Sequence, residues 1–262
     1  MGRLAVRPGD RRRDIMDMLM EVGSASVEEL ARRFDVSKMT VHRDLDELEV
    51  EGLLRKVHGG ATIEASGQFE SDFRYRLRTA AEEKRSIAER AVGFVEPGMS
   101  VMIDDGSTSL ATMPFLIEKR PLTVITNNLS LMDGLADASD IDLIALGGSY
   151  FRKFHGFFGV LTLATLATLR ADITLLSSSA IDGRTAFHQD LEVLELKKRM
   201  IASSARRYLM ADHGKFGRTA LHMMTDLEVF DGVVTDDALA EPLAEPLRVA
   251  GIPIHVAGAD RR

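Results

Sequence analysis

The sequence contains no cysteine and no tryptophan. Disulfides, thiolate metal sites and cysteine nucleophiles are therefore excluded, which suits a reducing, cytoplasmic setting. No run of about 18 uncharged apolar residues occurs, and the basic stretch from Arg3 to Arg13 is not followed by an apolar segment of signal-peptide length. The chain is expected to be soluble, untargeted and cytoplasmic. His155, His188, His213 and His222 stand apart, with no HxxxH or HExxH spacing, so no metal is expected. Neither GxGxxG nor GxxxxGK[ST] is found, and there is no Gly-x-Ser-x-Gly elbow. Dinucleotide, P-loop and serine-hydrolase chemistry thus lack support, and no cofactor or catalytic residue is assigned. An excess of positive charge is also missing: 33 Lys/Arg face 40 Asp/Glu, a net charge of −7, and residues 1–64 hold 11 against 13. Nucleic-acid binding usually leaves a basic footprint, so any DNA reader must rest on where its cations lie.

What is present is an ordinary globular composition, 45% hydrophobic and 28% charged over 262 residues. That length accommodates one small and one medium domain. Ile15, Met18, Leu19 and Val22 form an apolar helical stripe ending at Gly23. Val27, Leu30, Ala31 and Phe34 repeat the spacing after Ser24 and Ser26, either of which can cap a helix. A third helix starts at Ser37, with Val41, Leu45 and Leu48 on its buried side, and stops near Gly52. Only Asp35 and Val36 separate it from the second, the tight helix-turn-helix spacing that places a later helix in the major groove.

With Val41 inward, a turn of about 100° per residue puts Met39 and Arg43 on the opposite side and Thr40 and His42 on the flanks. Together with Ser37 and Lys38 these residues are expected to meet DNA. Asp44, Asp46, Glu47, Glu49 and Glu51 crowd the later turns, away from the groove-entering end. After Gly52, the segment Leu53 to Ile63 reads as a strand, a Gly59-Gly60 turn and a second strand, a wing whose Lys56 and His58 could reach phosphate or a minor groove. Taken element by element, a packing or dimerisation module is the better reading; order and spacing together shift the balance to the DNA reader.

Val36-Ser37-Lys38-Met39-Thr40-Val41-His42-Arg43-Asp44-Leu45, followed by Leu48, Gly52-Leu53 and His58-Gly59-Gly60-Ala61, resembles the DNA-binding domain of the DeoR family of sugar-metabolism repressors. His42 stands where many members carry arginine, so base preference does not transfer.

Residues 65–72 read as a linker between a winged helix-turn-helix over 1–64 and an α/β domain over 73–262. The charged run Asp72 to Arg90 reads as one helix with a solvated face. Apolar runs at 101–103, 122–126, 141–146, 173–176, 208–210, 232–235 and 254–256 alternate with helical ones, predicting a mainly parallel sheet covered by helices. Ligands of such sheets bind beyond the carboxyl ends of the strands. There the sequence places Asp104-Asp105-Gly106-Ser107-Thr108, Thr126-Asn127-Asn128 and Gly147-Gly148-Ser149. N–H-rich turns, hydroxyls and amides at such a position suit an anion or a sugar. Lys215, in a glycine-bounded loop, is a candidate counter-charge. Alone, the Asp104–Thr108 loop is as readily a capped strand-helix turn, and turn chemistry or a surface lysine is the commoner reading of the others; three such loops on one edge favour a ligand site.

The Asp-Gly-Ser-Thr loop, Thr-Asn-Asn, and Asp-x-x-Lys-Phe-Gly at 212–217 are similar, in that order, to the DeoR-family sensor domain. The resemblance implies a fold related to ribose-5-phosphate isomerase and glucosamine-6-phosphate deaminase. It further implies a sensor that binds a phosphorylated sugar or polyol without turning it over, and it adds Asp182 to the effector loops. Where members often carry glycine before the Ile-Asp pair, Ser178-Ser179-Ala180 precede Ile181-Asp182. The expectation is a regulator, in the first instance a repressor, of a sugar or polyol operon. It would be a homo-oligomer, since repeated half-sites need paired recognition helices. The rival is an isomerase or deaminase using Asp104 or Asp105 with Lys215 for proton transfer. A periplasmic-binding-protein-like sensor would need more than the roughly 190 residues after the linker.

Overall fold

The computed structural model describes residues 8–50, 54–62 and 73–258. The chain divides into two compact units between Tyr75 and Arg76.

The first unit opens with α1 (Pro8–Val22), β1 (Ser24–Ser26), α2 (Val27–Phe34) and α3 (Lys38–Val50), followed by β2 (Arg55–Val57) and β3 (Gly60–Thr62). Helix α1 ends at Gly23, whose φ of 77° only glycine adopts freely. Ser26 closes a capping box on α2: its hydroxyl accepts from the Glu29 N–H while the Glu29 side chain accepts from the Ser26 N–H. Asp35, left-handed at φ 52°, turns the chain, and Ser37 Oγ accepts the Thr40 N–H at 3.1 Å to start α3. Ile15, Leu19, Val27, Leu30, Val41, Leu45 and Leu48 form one core. The α1 stripe differs at its edges from expectation: Met16 is buried and Val22 is 57% exposed. Helix α1 thus turns its inner face slightly toward Met16.

The wing is a three-stranded sheet, β1-β3-β2, because Ser24–Ser26 forms a strand that periodicity did not reveal. Its turn is His58-Gly59 rather than Gly59-Gly60: Val57 pairs with Gly60. Gly60 belongs to β3, where a Cβ would lie 2.3 Å from the Ala25 carbonyl oxygen. Glycine is needed there for close approach of β1, and at Gly59, φ 77°, for the turn. Glu51, Gly52, Leu53, Ile63 and the linker 65–72 lie outside the described residues.

The charged run after the linker is two helices, α4 (Phe73–Arg78) and α5 (Ala81–Val92), broken where Ala80 takes φ 52°. Nor is its face uniformly solvated. Lys84 is buried, with its ammonium donating to the carbonyls of Arg76 and Thr79.

The chain continues as β4 (Ser100–Ile103), α6 (Ser107–Leu110), α7 (Met113–Glu118), β5 (Leu122–Thr126), α8 (Leu129–Leu135), β6 (Ile141–Ala145), β7 (Ser149–Phe151), β8 (Gly156–Phe158) and α9 (Val160–Ala167). It ends with β9 (Ala171–Ser177), β10 (Ala180–Asp182), β11 (Thr185–His188), α10 (Leu191–Ala202), β12 (Ser204–Met210), β13 (His222–Asp226), β14 (Gly232–Thr235), α11 (Glu241–Val249) and β15 (Ile254–Val256). All seven expected strands join one sheet, ordered β15-β14-β12-β9-β4-β5-β6, and every pairing is parallel. Adjacent residues feed opposite cores: Met102, Ile125, Leu176 and Leu209 face one, Val101, Ile103, Val124 and Leu175 the other. Burial on both faces is why these strands read as continuous apolar runs. Strand order reverses between β4 and β9, so their carboxyl ends form the crevice where open parallel sheets hold ligands.

Candidate functional site

In the first unit the candidate surface is the outer side of α3. Ser37, Lys38, Met39, His42 and Arg43 are exposed, Met39 to 72%, and Thr40 is half-buried. Val41, Asp44 and Leu45 on the inner side are buried. The acids of this helix are largely neutralised from within the unit. Asp44 accepts a bidentate pair from Arg11, at 2.6 Å from Nε and 3.1 Å from Nη2, with both side chains buried. Arg12 pairs with Glu47, and Lys56 with Asp46. The Lys56 N–H donates to Glu49 Oε1 at 2.7 Å. Lys56 is therefore held against α3, whereas Arg55 and His58 are exposed on the wing. Lys38 is paired with Glu28, but both are solvated, so the pair holds weakly. The exposed cations lie at the start of α3 and its carboxylates are tied down, an arrangement suited to a phosphate-bearing groove.

In the second unit, Asp104 at the end of β4 is fully buried and saturated. It accepts from the Ser177 N–H at 2.8 Å, the Ser177 hydroxyl at 3.1 Å, the Gly106 N–H at 3.1 Å and the Ser109 hydroxyl. The buried ammonium of Lys197, from α10, completes the set and also donates to the Ser177 carbonyl at 3.1 Å. Burial opposes ionisation of Asp104, yet Lys197 and these donors outweigh it and hold the carboxyl below its usual range. Gly106 is required here, since a Cβ would sit 2.1 Å from Ser177 Oγ.

Asp105 is different. It is 1% exposed, and neither oxygen has a hydrogen-bond partner; the closest cation is Lys197 Nζ, 3.8 Å from Oδ1. Burial pushes its carboxyl above the usual range despite Lys197, with the neighbouring Asp104 charge adding to the rise. Asn127 donates through Nδ2 to the Phe157 carbonyl at 3.2 Å, and its Oδ1 is unpartnered. Asn128 caps α8, its Oδ1 accepting from the N–H groups of Ser130 and Leu131 at 2.9 and 3.2 Å, while its Nδ2 is unpartnered. Thr126 Oγ1 accepts the Asn128 N–H at 3.1 Å. Ser107 and Thr108 are buried at the start of α6.

Four sequence-predicted residues lie outside this buried cluster. Asp182 is exposed in the small antiparallel sheet β10-β11-β13. Gly147 and Gly148 are exposed, the Gly147 carbonyl accepting from Thr162 at 2.6 Å. Lys215 is half-buried in a short turn of helix over His213–Lys215, and it is Lys197 that reaches the buried carboxylates. Sequence reasoning missed Lys197, Ser177 and Gly156, and weighed His188 only as a metal ligand. His188 is 2% exposed, its Nδ1 accepting the Asp190 N–H at 3.1 Å and its ring 5.9 Å from that of Phe154. Burial, reinforced by Lys197 and Arg76, pushes it down to about 3, so it is neutral. The only sequence signal for Lys197 was its spacing from buried Val193, Leu194 and Met200 on one helix.

Among the described residues no helix is long and apolar enough to cross a membrane, and no group of His, Cys, Asp or Glu could hold a metal ion. The sequence profile of the DeoR-like helix-turn-helix domain matches residues 11–66, and that of the DeoR C terminal sensor domain matches residues 79–237. An uncharacterised HTH-type transcriptional regulator of Escherichia coli K12 is 31% identical, over 95% of this chain and 98% of its own. The L-fucose operon activator of Haemophilus influenzae is 33% identical over 87% and 92%. The glycerol-3-phosphate regulon repressor of E. coli K12 is 32% identical over 86% and 90%. Among solved structures, a ribose-5-phosphate isomerase bound to phospho-erythronic acid aligns over 54% of each chain, with a TM-score of 0.39 and 15% identity.

Proposed function

The chain belongs to the DeoR family of transcriptional regulators, and on that premise we propose that it controls a sugar or polyol operon, releasing or engaging operator DNA in response to a phosphorylated metabolite. The observation that carries this reading is the polarity of α3. Its outer side exposes Lys38, Met39, His42 and Arg43, while Arg11, Arg12 and Lys56 hold Asp44, Glu47 and Asp46. Residue by residue, this answers the objection raised by a net charge of −7. Arg43 and His42 would read base edges, and Lys38 with the wing's Arg55 and His58 would contact the backbone.

The effector would occupy the crevice beyond β4, β5 and β9. Asp105, Ser107, Thr108, Asn127 and Asn128 would be its direct contacts, with Asp104 and Lys197 forming the frame behind them. Lys215, Gly147 and Gly148 would border the entrance. We propose binding without turnover: Asp104, the base an isomerase reading would call on, has its oxygens committed to Lys197, Ser177, Ser109 and Gly106. A cytoplasmic homo-oligomer supplies the paired recognition helices that a repeated operator requires. Relatives that activate and relatives that repress fit the same architecture, and repression is our reading here.

The test is a mobility-shift assay with DNA upstream of the protein's own gene, at two salt concentrations and with a panel of sugar and polyol phosphates. A saturable, sequence-selective shift altered by one compound supports the reading. Non-selective binding lost at modest salt, with consumption of a sugar phosphate, replaces it with the enzyme.

A further inference from the structure

Helix α3 is held down by few apolar side chains: of its 13 residues, Val41, Leu45 and Leu48 are the buried apolar ones. Apolar burial is non-directional, so three aliphatic side chains seat a helix without closely fixing its rotation. The fourth buried side chain is Asp44, and it is fixed in direction as well as distance. Arg11, 33 positions away on α1, donates to it twice, Nε at 2.6 Å from Oδ2 and Nη2 at 3.1 Å from Oδ1. A forked guanidinium meets a carboxylate in a narrow range of geometries, so this bond sets how far α3 is turned relative to α1. One turn further along α3, Arg12 of α1 pairs with Glu47.

Stability does not account for such a pair, since a buried ion pair contributes little over an apolar replacement. Its position in the sequence accounts for it better. Arg43 immediately precedes Asp44 and is exposed. Successive side chains are about 100° apart on a rigid helix, so a roll of α3 that loosened Asp44 from Arg11 would carry His42 and Arg43 through the same angle. Directed recognition requires side chains held to within roughly 0.5 Å and 10–20°. Contacts to phosphate carry no sequence information and do not depend on that register.

We propose that Arg11 is a positioning residue for operator recognition: its two-pronged bond to Asp44 holds α3 at the rotation from which His42 and Arg43 meet base edges, and thereby sets sequence discrimination rather than affinity for DNA in general. This inference rests on the reading surface proposed above for α3 and names the residue that orients it. It also gives the acids of α3 a purpose. Asp44 and Glu47 fasten the helix to α1, while Asp46 and Glu49 fasten the wing to the helix through Lys56. The carboxylates that make the first unit acidic are the ones that aim its exposed cations.

The test compares the full chain with an Arg11→Met/Asp44→Leu double variant, in which apolar side chains replace the pair. Fluorescence anisotropy at one salt concentration measures the affinity of each protein for the DNA upstream of its own gene and for a scrambled duplex of equal length and composition. The double variant is expected to keep its thermal transition and its affinity for the scrambled duplex, while the ratio of the two affinities falls roughly tenfold or more. An equal fall in both affinities would mark the pair as structural and overturn the inference. If the wild-type chain discriminates and the double variant discriminates as well, the positioning role is wrong while the reading surface stands. If the wild-type chain does not discriminate, both fall. Should the double variant fail to fold, Arg11→Lys takes its place, because it keeps the charge but not the fork; undiminished discrimination there is equally fatal.

Discussion

Lys197, in the middle of α10, donates its ammonium to Asp104 at the end of β4, and both side chains are withdrawn from water. The two residues are 93 positions apart in sequence and join the helical layer to the turning point of the sheet. A buried pair of this kind contributes little net stability over an apolar replacement, but losing one partner strands the other charge. Lys197→Met should therefore destabilise the second unit by about 3–5 kcal/mol, and Lys197→Met with Asp104→Leu by clearly less than the sum of the single changes. Urea denaturation of the four proteins measures this, and additive losses would show that the pair is not coupled.

Arg43 is exposed on the outer side of α3, opposite Val41. Arg43→Ala should cost about 1–3 kcal/mol of specific operator affinity while leaving the thermal transition and effector binding unchanged. Retention of sequence-selective binding in the mobility shift would remove Arg43 from the reading surface.

The two wing glycines should respond unequally. Gly60→Ala forces a methyl group to within 2.3 Å of the Ala25 carbonyl, whereas Gly59→Ala meets open space and only the strain of φ 77°. The expected losses are about 2–3 kcal/mol at Gly60 and about 1 kcal/mol at Gly59. Denaturation of the two variants checks the order, and equal effects would contradict the close β1–β3 contact.

His188 is lowered from 6.5 to about 3, first by burial and then by the positive charges of Lys197 and Arg76. With the folded-state value below the unfolded one, the native chain binds fewer protons between the two. The stabilisation is complete above pH 6.5 and is lost as pH falls toward 3. The loss runs at up to about 1.4 kcal/mol per pH unit. His188→Gln does not titrate, so the stability advantage of wild type over this variant should shrink between pH 7 and pH 4. An advantage independent of pH would mean that His188 is not the titrating group.

Periodicity and order carried much of this protein in the sequence itself. The spacing of Val41, Leu45 and Leu48 set the inner side of α3, and therefore which residues face out, because a helix of fixed pitch leaves no other choice. The seven apolar runs became the seven strands of the sheet because both their faces are covered, and the rule that ligands bind at strand ends pointed to Asp104, Asp105, Asn127 and Asn128.

Only the tertiary structure separated the roles of Asp104 and Asp105, adjacent in sequence and chemically identical. One points at Lys197, Ser109 and Ser177 and is consumed as framework; the other points where nothing in the chain answers it. Lys197 sits in a Lys-Lys-Arg run that reads as solvated surface, with only its helical spacing from Val193, Leu194 and Met200 against that reading, and Gly156 lies in a segment with no motif. Burial and pairing depend on what distant elements bring alongside, which local spacing cannot encode. The same reason hid β1, whose three residues form a strand because β3 lies beside them.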